Sequence, residues 1–335
     1  MMKRMLCLIL AAVMLVALAA CDDGAQPDAT AVTDAHTEAA DPTAATGGNS
    51  EPTEPLDPAT GDEADPDDPD DKEGLDVKDF LRTFDRTAQI EEQVVYDADD
   101  VRVTALRMRY DPIQGAAVQF RVENGSDSDL LIQSDTCAVN GYMMKAVFNI
   151  SAPSGQNADG EMIVSYPALA LAGAEKIATL EFSLLLMNQS TYEVLAACDT
   201  TVIQTTAAED YEQIYDDEGQ TAYDDGNIRI VLKSVDRRRQ VSEYPALVVC
   251  LYNGSDRCIS ILAQTLLVNG YELTPAMSTT LMPEKHAVDV VPFFDMDLRE
   301  HDIDEIETVE ISFRIVDDET WKTIAETDTV VLEES

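Results

Sequence analysis

Positive charge is what this chain has least of: 22 Lys and Arg stand against 65 Asp and Glu, a formal net charge of −43. Phosphate binding runs on Lys/Arg neutralisation and counterion release, so the deficit excludes the plain electrostatic route to DNA or RNA, and no nucleic-acid partner is expected. Histidine is scarcer still, at three residues. His36 falls in a polar tract, while His286 and His301 read as loop residues of one segment with no partner in the other. Nucleophilic catalysis most often needs a histidine base beside its nucleophile, and neither a G-x-S-x-G elbow nor an H-E-x-x-H pair occurs. Carboxylates are so abundant that a glycosidase-like pair could be drawn anywhere and therefore means nothing. The expectation is no catalytic residue and no enzyme. Aromatics amount to 6%, yet 45% hydrophobic residues suffice for a core and exclude a wholly disordered chain.

One apolar run interrupts this picture. Lys3 and Arg4 precede an uncharged stretch from Met5 to Ala20. Sixteen residues are marginal for a bilayer core about 30 Å thick but suit the apolar region of an export signal. The run ends in Leu18-Ala19-Ala20-Cys21, which resembles the lipobox of bacterial lipoproteins. That resemblance implies cleavage after residue 20, a covalent diacylglyceryl group on Cys21, and a protein held outside the cytoplasmic membrane of a Gram-positive type cell by its lipid. Two or more acyl chains make such an anchor stable where one is reversible.

Residues 21–75 read as a linker. From Asp22 to Asp71 there are sixteen acids, seven of the fourteen prolines, no Lys or Arg and no aromatic. Such a segment cannot bury enough apolar surface to offset its ordering entropy, and a flexible coil of this length reaches roughly 40 Å. The following Asp76–Arg86 places Phe80, Leu81 and Phe84 at helical spacing, which predicts one or two amphipathic turns leading into the folded part.

The rest is an internal duplication. Glu123-Asn124-Gly125-Ser126-Asp127 matches Tyr252-Asn253-Gly254-Ser255-Asp256, and Val139-Asn140-Gly141-Tyr142 matches Val268-Asn269-Gly270-Tyr271, both at an offset of 129. The offset holds from Glu175–Ile203 against Asp304–Leu332, and upstream Tyr96-Asp97 aligns with Tyr223-Asp224 after a two-residue slip. The boundary falls near Ala207 to Asp210, giving copies over 88–206 and 210–333. Leu180, Phe182, Leu184 and Leu186 alternate with other residues, as do Val309, Ile311, Phe313 and Ile315; period two with one apolar face predicts half-buried strands. Turn signals at Asp97–Asp100, Asn124-Gly125, Asn140-Gly141, Ser154-Gly155 and Asp159-Gly160 separate the runs. Seven to nine short strands in about 115 residues predict an all-β fold of two tandem Ig-like β-sandwiches. The N-x-S-type turn, V-N-G-Y step, I-x-x-(I/V)-E-(F/I) strand and D-x-(T)-W/Y ending before a T-D-x-V strand resemble an uncharacterised Ig-like repeat of Firmicutes (clostridial) surface lipoproteins, over Ile90 to Leu332. The first copy departs from it at Tyr192 and Asn188, where the second has Trp321 and Asp317. The family implies no catalytic residues.

Cys137, Cys198, Cys250 and Cys258 remain after Cys7 and Cys21 are set aside. An extracytoplasmic location permits disulfides, and within-copy pairing, Cys137 with Cys198 and Cys250 with Cys258, is preferred over buried thiols. No histidine lies beside them, so no metal site is expected. Acids at Asp97–Asp100, Asp216–Glu218 and Asp224-Asp225 supply oxygen ligands of the kind Ca²⁺ takes but lack EF-type spacing, and solvated turns are the plainer reading. Arg237-Arg238-Arg239, with Tyr244 nearby, is the one run of three basic residues and the candidate interaction site. The functional expectation is a non-enzymatic binding or scaffolding module contacting an envelope protein, a peptide or wall polymer. The alternatives are a solute- or Ca²⁺-binding lipoprotein beside a transporter, or a passive spacer. Oligomeric state is left open.

Overall fold

A computed structural model describes residues 76–334, so the signal, Cys21 and the acidic linker lie outside the described residues. Residues 74–335 form one compact unit. Its entry is helix α1 (Val77–Thr83), where Asp76 caps the first turn by accepting from the backbone N–H groups of Lys78 and Asp79. Phe84, just past it, is buried against Tyr110 and Tyr166 with ring centroids 6.1 and 5.6 Å away. The spacing of Phe80, Leu81 and Phe84 thus does what its period predicts and docks the entry onto the first core.

The fold is all-β. The first copy runs β1 (Gln93–Ala98), β2 (Val101–Asp111), β3 (Gly115–Asn124), β4 (Leu130–Val139), β5 (Tyr142–Met143), β6 (Ala146–Val147), β7 (Asn149–Ala152) and β8 (Asn157–Ser165). A short helix α2 (Tyr166–Leu171) then leads to β9 (Thr179–Asn188), β10 (Val194–Ala197) and β11 (Thr201–Gln204). The second copy repeats the plan with β12 (Gln220–Asp224), β13 (Ile228–Asp236), β14 (Ala246–Asn253), β15 (Ile259–Val268), β16 (Tyr271–Glu272), β17 (Ser278–Leu281) and β18 (Lys285–Pro292). It closes with α3 (Asp295–Glu300), β19 (Thr308–Asp317), β20 (Thr323–Glu326) and β21 (Val330–Glu333). The alternation in β9 and β19 buries Leu180, Phe182 and Leu184 in one core and Val309, Ile311 and Phe313 in the other. Helices α2 and α3, six residues each, are what the period-two reading missed, because a six-residue helix is too short to print a 3.6 period.

The turn motifs sort into two kinds. Asn140-Gly141 and Asn269-Gly270 are true two-residue hairpin turns, both residues having positive φ (50° and 84°; 51° and 80°). Asn124-Gly125 and Asn253-Gly254 are not: their glycines lack positive φ, and the asparagine side chains do the work. Asn253 is fully buried, donates to the carbonyls of Arg257, Leu281 and Met282, and accepts from the backbone N–H and hydroxyl of Ser255. Asn124 repeats this with Ser128, Ala152 and Ser126. Asp159-Gly160 is no turn at all but lies inside β8, where a β-carbon on Gly160 would come within 2.4 Å of Ile150.

The two sandwiches share a sheet. One five-stranded sheet, in order β1-β2-β3-β8-β6, backs the first copy, and a six-stranded sheet around β15 and β19 backs the second. Between them a ten-stranded sheet runs β10-β9-β4-β5-β18-β14-β13-β12, and so belongs to both copies. The crossing point is a parallel step from β5 to β18 at Tyr142 and His286, where the His286 N–H donates to the Gly141 carbonyl at 3.0 Å.

Candidate functional site

The hairpin turn at Asn140-Gly141 thrusts Tyr142 against the second copy. His286, expected in a loop, lies instead on strand β18. Its ring is stacked between Tyr215 (centroids 3.9 Å apart, planes at 13°) and Tyr252 (4.5 Å, 30°), with Tyr142 edge-on at 5.8 Å. Tyr215 comes from the strandless connector between β11 and β12 (205–219), which extends past the boundary expected near Asp210, and donates from its hydroxyl to the Asn140 carbonyl at 3.0 Å. The next two connector residues reach the other way: Asp216 accepts from Lys233 at 2.8 Å and Asp217 pairs with Arg229, whose Nε lies 3.8 Å from Asp224. The connector is therefore fastened to both copies. Below it, Lys285 of the second copy donates to Glu181 of the first at 2.7 Å, with side chains only 16% and 19% exposed.

A cavity of about 370 Å³ here is lined by Tyr142, Tyr215, Tyr252 and His286 together with Asp216, Asp217, Asp224 and Arg229. Burial lowers the His286 pKa to about 4, against an opposing pull from Asp217, so the imidazole is neutral at pH 7. Burial raises the Cys250 thiol to about 11, and its Sγ donates to the Asp216 carbonyl at 3.4 Å. With the phenols of Tyr142 and Tyr215 also shifted upward by burial, the cavity's charges are three carboxylates and one guanidinium. Such a site favours neutral or cationic groups over anions. The imidazole is stacked on both faces and the Cys250 thiol stays protonated.

The Lys285–Glu181 pair supports a direct expectation. Glu181→Ala leaves the Lys285 ammonium without its counter-charge in a largely enclosed position, and stability falls by about 2 kcal/mol in denaturant titration. The double replacement Glu181→Met with Lys285→Met loses clearly less, because no charge is stranded.

Of the residues singled out in the sequence, Asp216, Asp217, Asp224 and Cys250 line this cavity, whereas the arginine run lies elsewhere. Arg237 donates to Glu334 and to the Ile306 carbonyl, both at 3.0 Å, and Arg239 grips Asp295 through two nitrogens at 3.1 and 2.7 Å. Arg238 donates its backbone N–H to Asp236, and Tyr244 packs edge-on against Phe294 at 5.1 Å. This corner holds the loop between β13 and β14 onto the second sandwich. The four cysteines are not joined: the expected pairs Cys137–Cys198 and Cys250–Cys258 are absent, and Cys137 is instead a core residue whose thiol burial raises to about 12. Asp216, Asp224 and Asp225 accept backbone N–H groups within their own turns. Among the described residues no group of three His, Cys, Asp or Glu side chains stands in a metal-holding arrangement, and no helix is long and apolar enough to cross a membrane. Nothing in the sequence marked Tyr142, Tyr215, Tyr252 and His286 as neighbours; the one available signal was aromatic residues beside strand ends and in a connector that carries acids.

No protein-family model matches the chain, and no curated protein matches it. Among solved structures, YadV chaperone is 13% identical, covering 70% of this chain and all of that one, with a TM-score of 0.22. The Salmonella enterica SafA pilin in complex with the SafB chaperone is 12% identical over 71% of this chain and 98% of that one, at 0.20. A red sea bream transglutaminase is 11% identical over 71% of this chain and 32% of that one, also at 0.20. Scores this low carry no argument about this chain.

Proposed function

We propose that the chain is a lipid-tethered binding module of the bacterial cell surface, without chemistry of its own, whose two Ig-like copies act as one rigid reader. One observation carries the reading: a single sheet runs through both copies, and the solute-sized cavity sits where they meet, walled by residues from the first copy, the connector and the second copy. A ligand there contacts all three, which is how a binding site built by duplication differs from two independent sites. The lipobox-like Leu18-Ala19-Ala20-Cys21 and the acidic tract after it support a tether that holds this body clear of the membrane. The resemblance to tandem Ig-like repeats of Firmicutes surface lipoproteins supports the same placement.

The anchor and the cavity are tested separately. Cys21→Ala releases the protein from the membrane fraction into the medium, and a variant still retained there refutes the lipid tether. For the cavity, a photo-crosslinking amino acid at the exposed Asn227 on its rim gives a reproducible adduct on intact cells, and Tyr252→Ser abolishes it. Absence of any adduct, or one indifferent to Tyr252, removes the cavity as the binding site.

A further inference from the structure

Exposed apolar side chains scattered singly are ordinary, but in this chain they recur by the repeat offset. Tyr192 and Trp321 are 65% and 48% exposed, Leu195 and Ile324 47% and 41%, Val202 and Val331 52% and 44%. Among the described residues no other exposed large apolar side chain has an exposed large apolar counterpart: Val147 matches only an exposed alanine, Ala276, and Tyr271 matches the buried Tyr142. All three pairs fall on one edge. Strands β10 and β11 hydrogen-bond to β9 alone, and β20 and β21 to β19 alone, so these are outer strands of their sheets.

The turn into that edge is strained in the same way twice. Tyr192 and Trp321 both have φ of +56°, the conformation that glycine usually supplies after such a turn. Each donates its N–H to the carbonyl of the turn's first residue, Asn188 or Asp317, at 2.8 Å. Both side chains remain substantially exposed, so burial inside the protein does not compensate the strain. An aromatic ring held at an unfavourable backbone position in both copies, and left in solvent, points to a partner that covers it. The edge is also acidic. From Gln189 to Asp210 it carries Glu193 and Asp199 among its acids with no Lys or Arg, and from Asp317 to Glu334 seven acids occur with Lys322 as the one basic residue of the segment, Arg257 and Arg237 reaching Asp317 and Glu334 from outside it.

We propose that β10 and β20 each accept an extended peptide strand whose side chains alternate aliphatic and basic, with Tyr192 and Trp321 as its aromatic anchors. The unpaired backbone of an outer strand supplies the hydrogen bonds, Leu195 and Ile324 the apolar contact, and Glu193, Asp199 and Glu326 the counter-charges for Lys or Arg. On β21 the Val331 carbonyl is already taken by the Gln220 side chain at 2.8 Å, which sets β20 as the pairing strand in the second copy. Two equivalent edges on one body allow bivalent capture of a partner that displays such strands in tandem. The inference rests on the binding-module reading but uses a surface other than the junction cavity.

The test uses the full chain and a synthetic ten-residue peptide of alternating Val and Lys, beside the Val/Glu peptide and a Val/Lys peptide N-methylated at alternate backbone positions. The Val/Lys peptide binds, more weakly as salt rises, and the two control peptides do not. The double variant Tyr192→Gly with Trp321→Gly binds at least about tenfold more weakly, while its melting temperature stays level or rises because glycine adopts this φ without strain. A fall in melting temperature assigns the rings a structural role instead. Equal binding by either control peptide, unchanged affinity of the double variant, or no binding at all overturns the proposal. Tyr252→Ser at the cavity leaves peptide binding as in the parent, so failure of the cavity and failure of the edge are distinguishable; loss of peptide binding in that variant overturns the edge assignment.

Discussion

Asn253→Ala destabilises the second sandwich by about 3–5 kcal/mol, enough to unfold it at denaturant concentrations the parent withstands. The side chain is fully buried and makes five hydrogen bonds, three given to carbonyls and two received from Ser255. Removing it leaves the Ser255 N–H and the Leu281 and Met282 carbonyls to find new partners, while the Arg257 carbonyl keeps the Ser255 hydroxyl at 3.3 Å, and each buried group left unsatisfied costs about 1–3 kcal/mol, with partial rescue by relaxation or water. The chain's single tryptophan, Trp321, lies in the second copy and reports the transition by fluorescence. The first copy has its own separate core, so Asn124→Ala, which breaks the matching network there, moves the Trp321 signal far less than it moves the overall circular-dichroism transition. Exposed Asn227→Ala shifts stability by less than about 0.5 kcal/mol, which makes it the control for loss of an asparagine as such. Equal transitions for Asn253→Ala and Asn227→Ala would mean that the network is not what holds the loop.

Acid loosens the junction in a window set by His286. Its pKa is lowered from 6.5 to about 4 in the folded protein, so between these values the unfolded chain binds the extra proton. The stabilisation is complete above pH 6.5, declines as pH falls from there to about 4, and changes no further below. Discounted for solvent at a half-buried ring, the decline amounts to about 1–2 kcal/mol. The carboxylates with lowered pKa values, Asp85, Asp111, Asp216, Asp225, Asp295 and Asp317, also stabilise less in acid. Their contributions are lost as pH falls from the ordinary value of 3.8 through the lowered folded values, beneath the histidine window. His286→Phe keeps a flat ring between Tyr215 and Tyr252 and removes the titration. The difference in melting temperature between parent and variant therefore changes between pH 6.5 and 4 and is flat outside that range. A constant difference across it would locate the acid sensitivity elsewhere.

The Asn-Gly dipeptides all looked like tight turns. Two are, and in the other two asparagine acts as a buried hydrogen-bond hub, because positive φ is a local property whereas burial of a side chain depends on the loops folded over it. Cys250 and Cys258 flanked one of these loops and invited a disulfide, but Cys250 turns instead toward the connector, where Asp216 accepts from it. The arginine run looked like a surface for a partner, and the fold gives Arg237 and Arg239 internal acceptors contributed by segments some 60 to 100 residues away.

Strands, duplication and the two Asn-Gly hairpin turns are legible in the residues alone, because alternation and Asn-Gly chemistry act over a few residues and repeat at a fixed offset. Tertiary structure alone decided which copy of a motif carries a site. Val-Asn-Gly-Tyr occurs twice with the same turn, yet Tyr142 is 4% exposed and Tyr271 49%. The difference is that β18 and the connector close over the first, whereas the second carries a stacked His301 ring at 4.9 Å and stays half exposed. A stack of Tyr215, His286 and Tyr252 joins residues from a connector and two strands that only the shared sheet brings together. The fold gathers the acidity of the described residues into two local features: a cavity rim at the junction and an acidic outer edge on each sandwich.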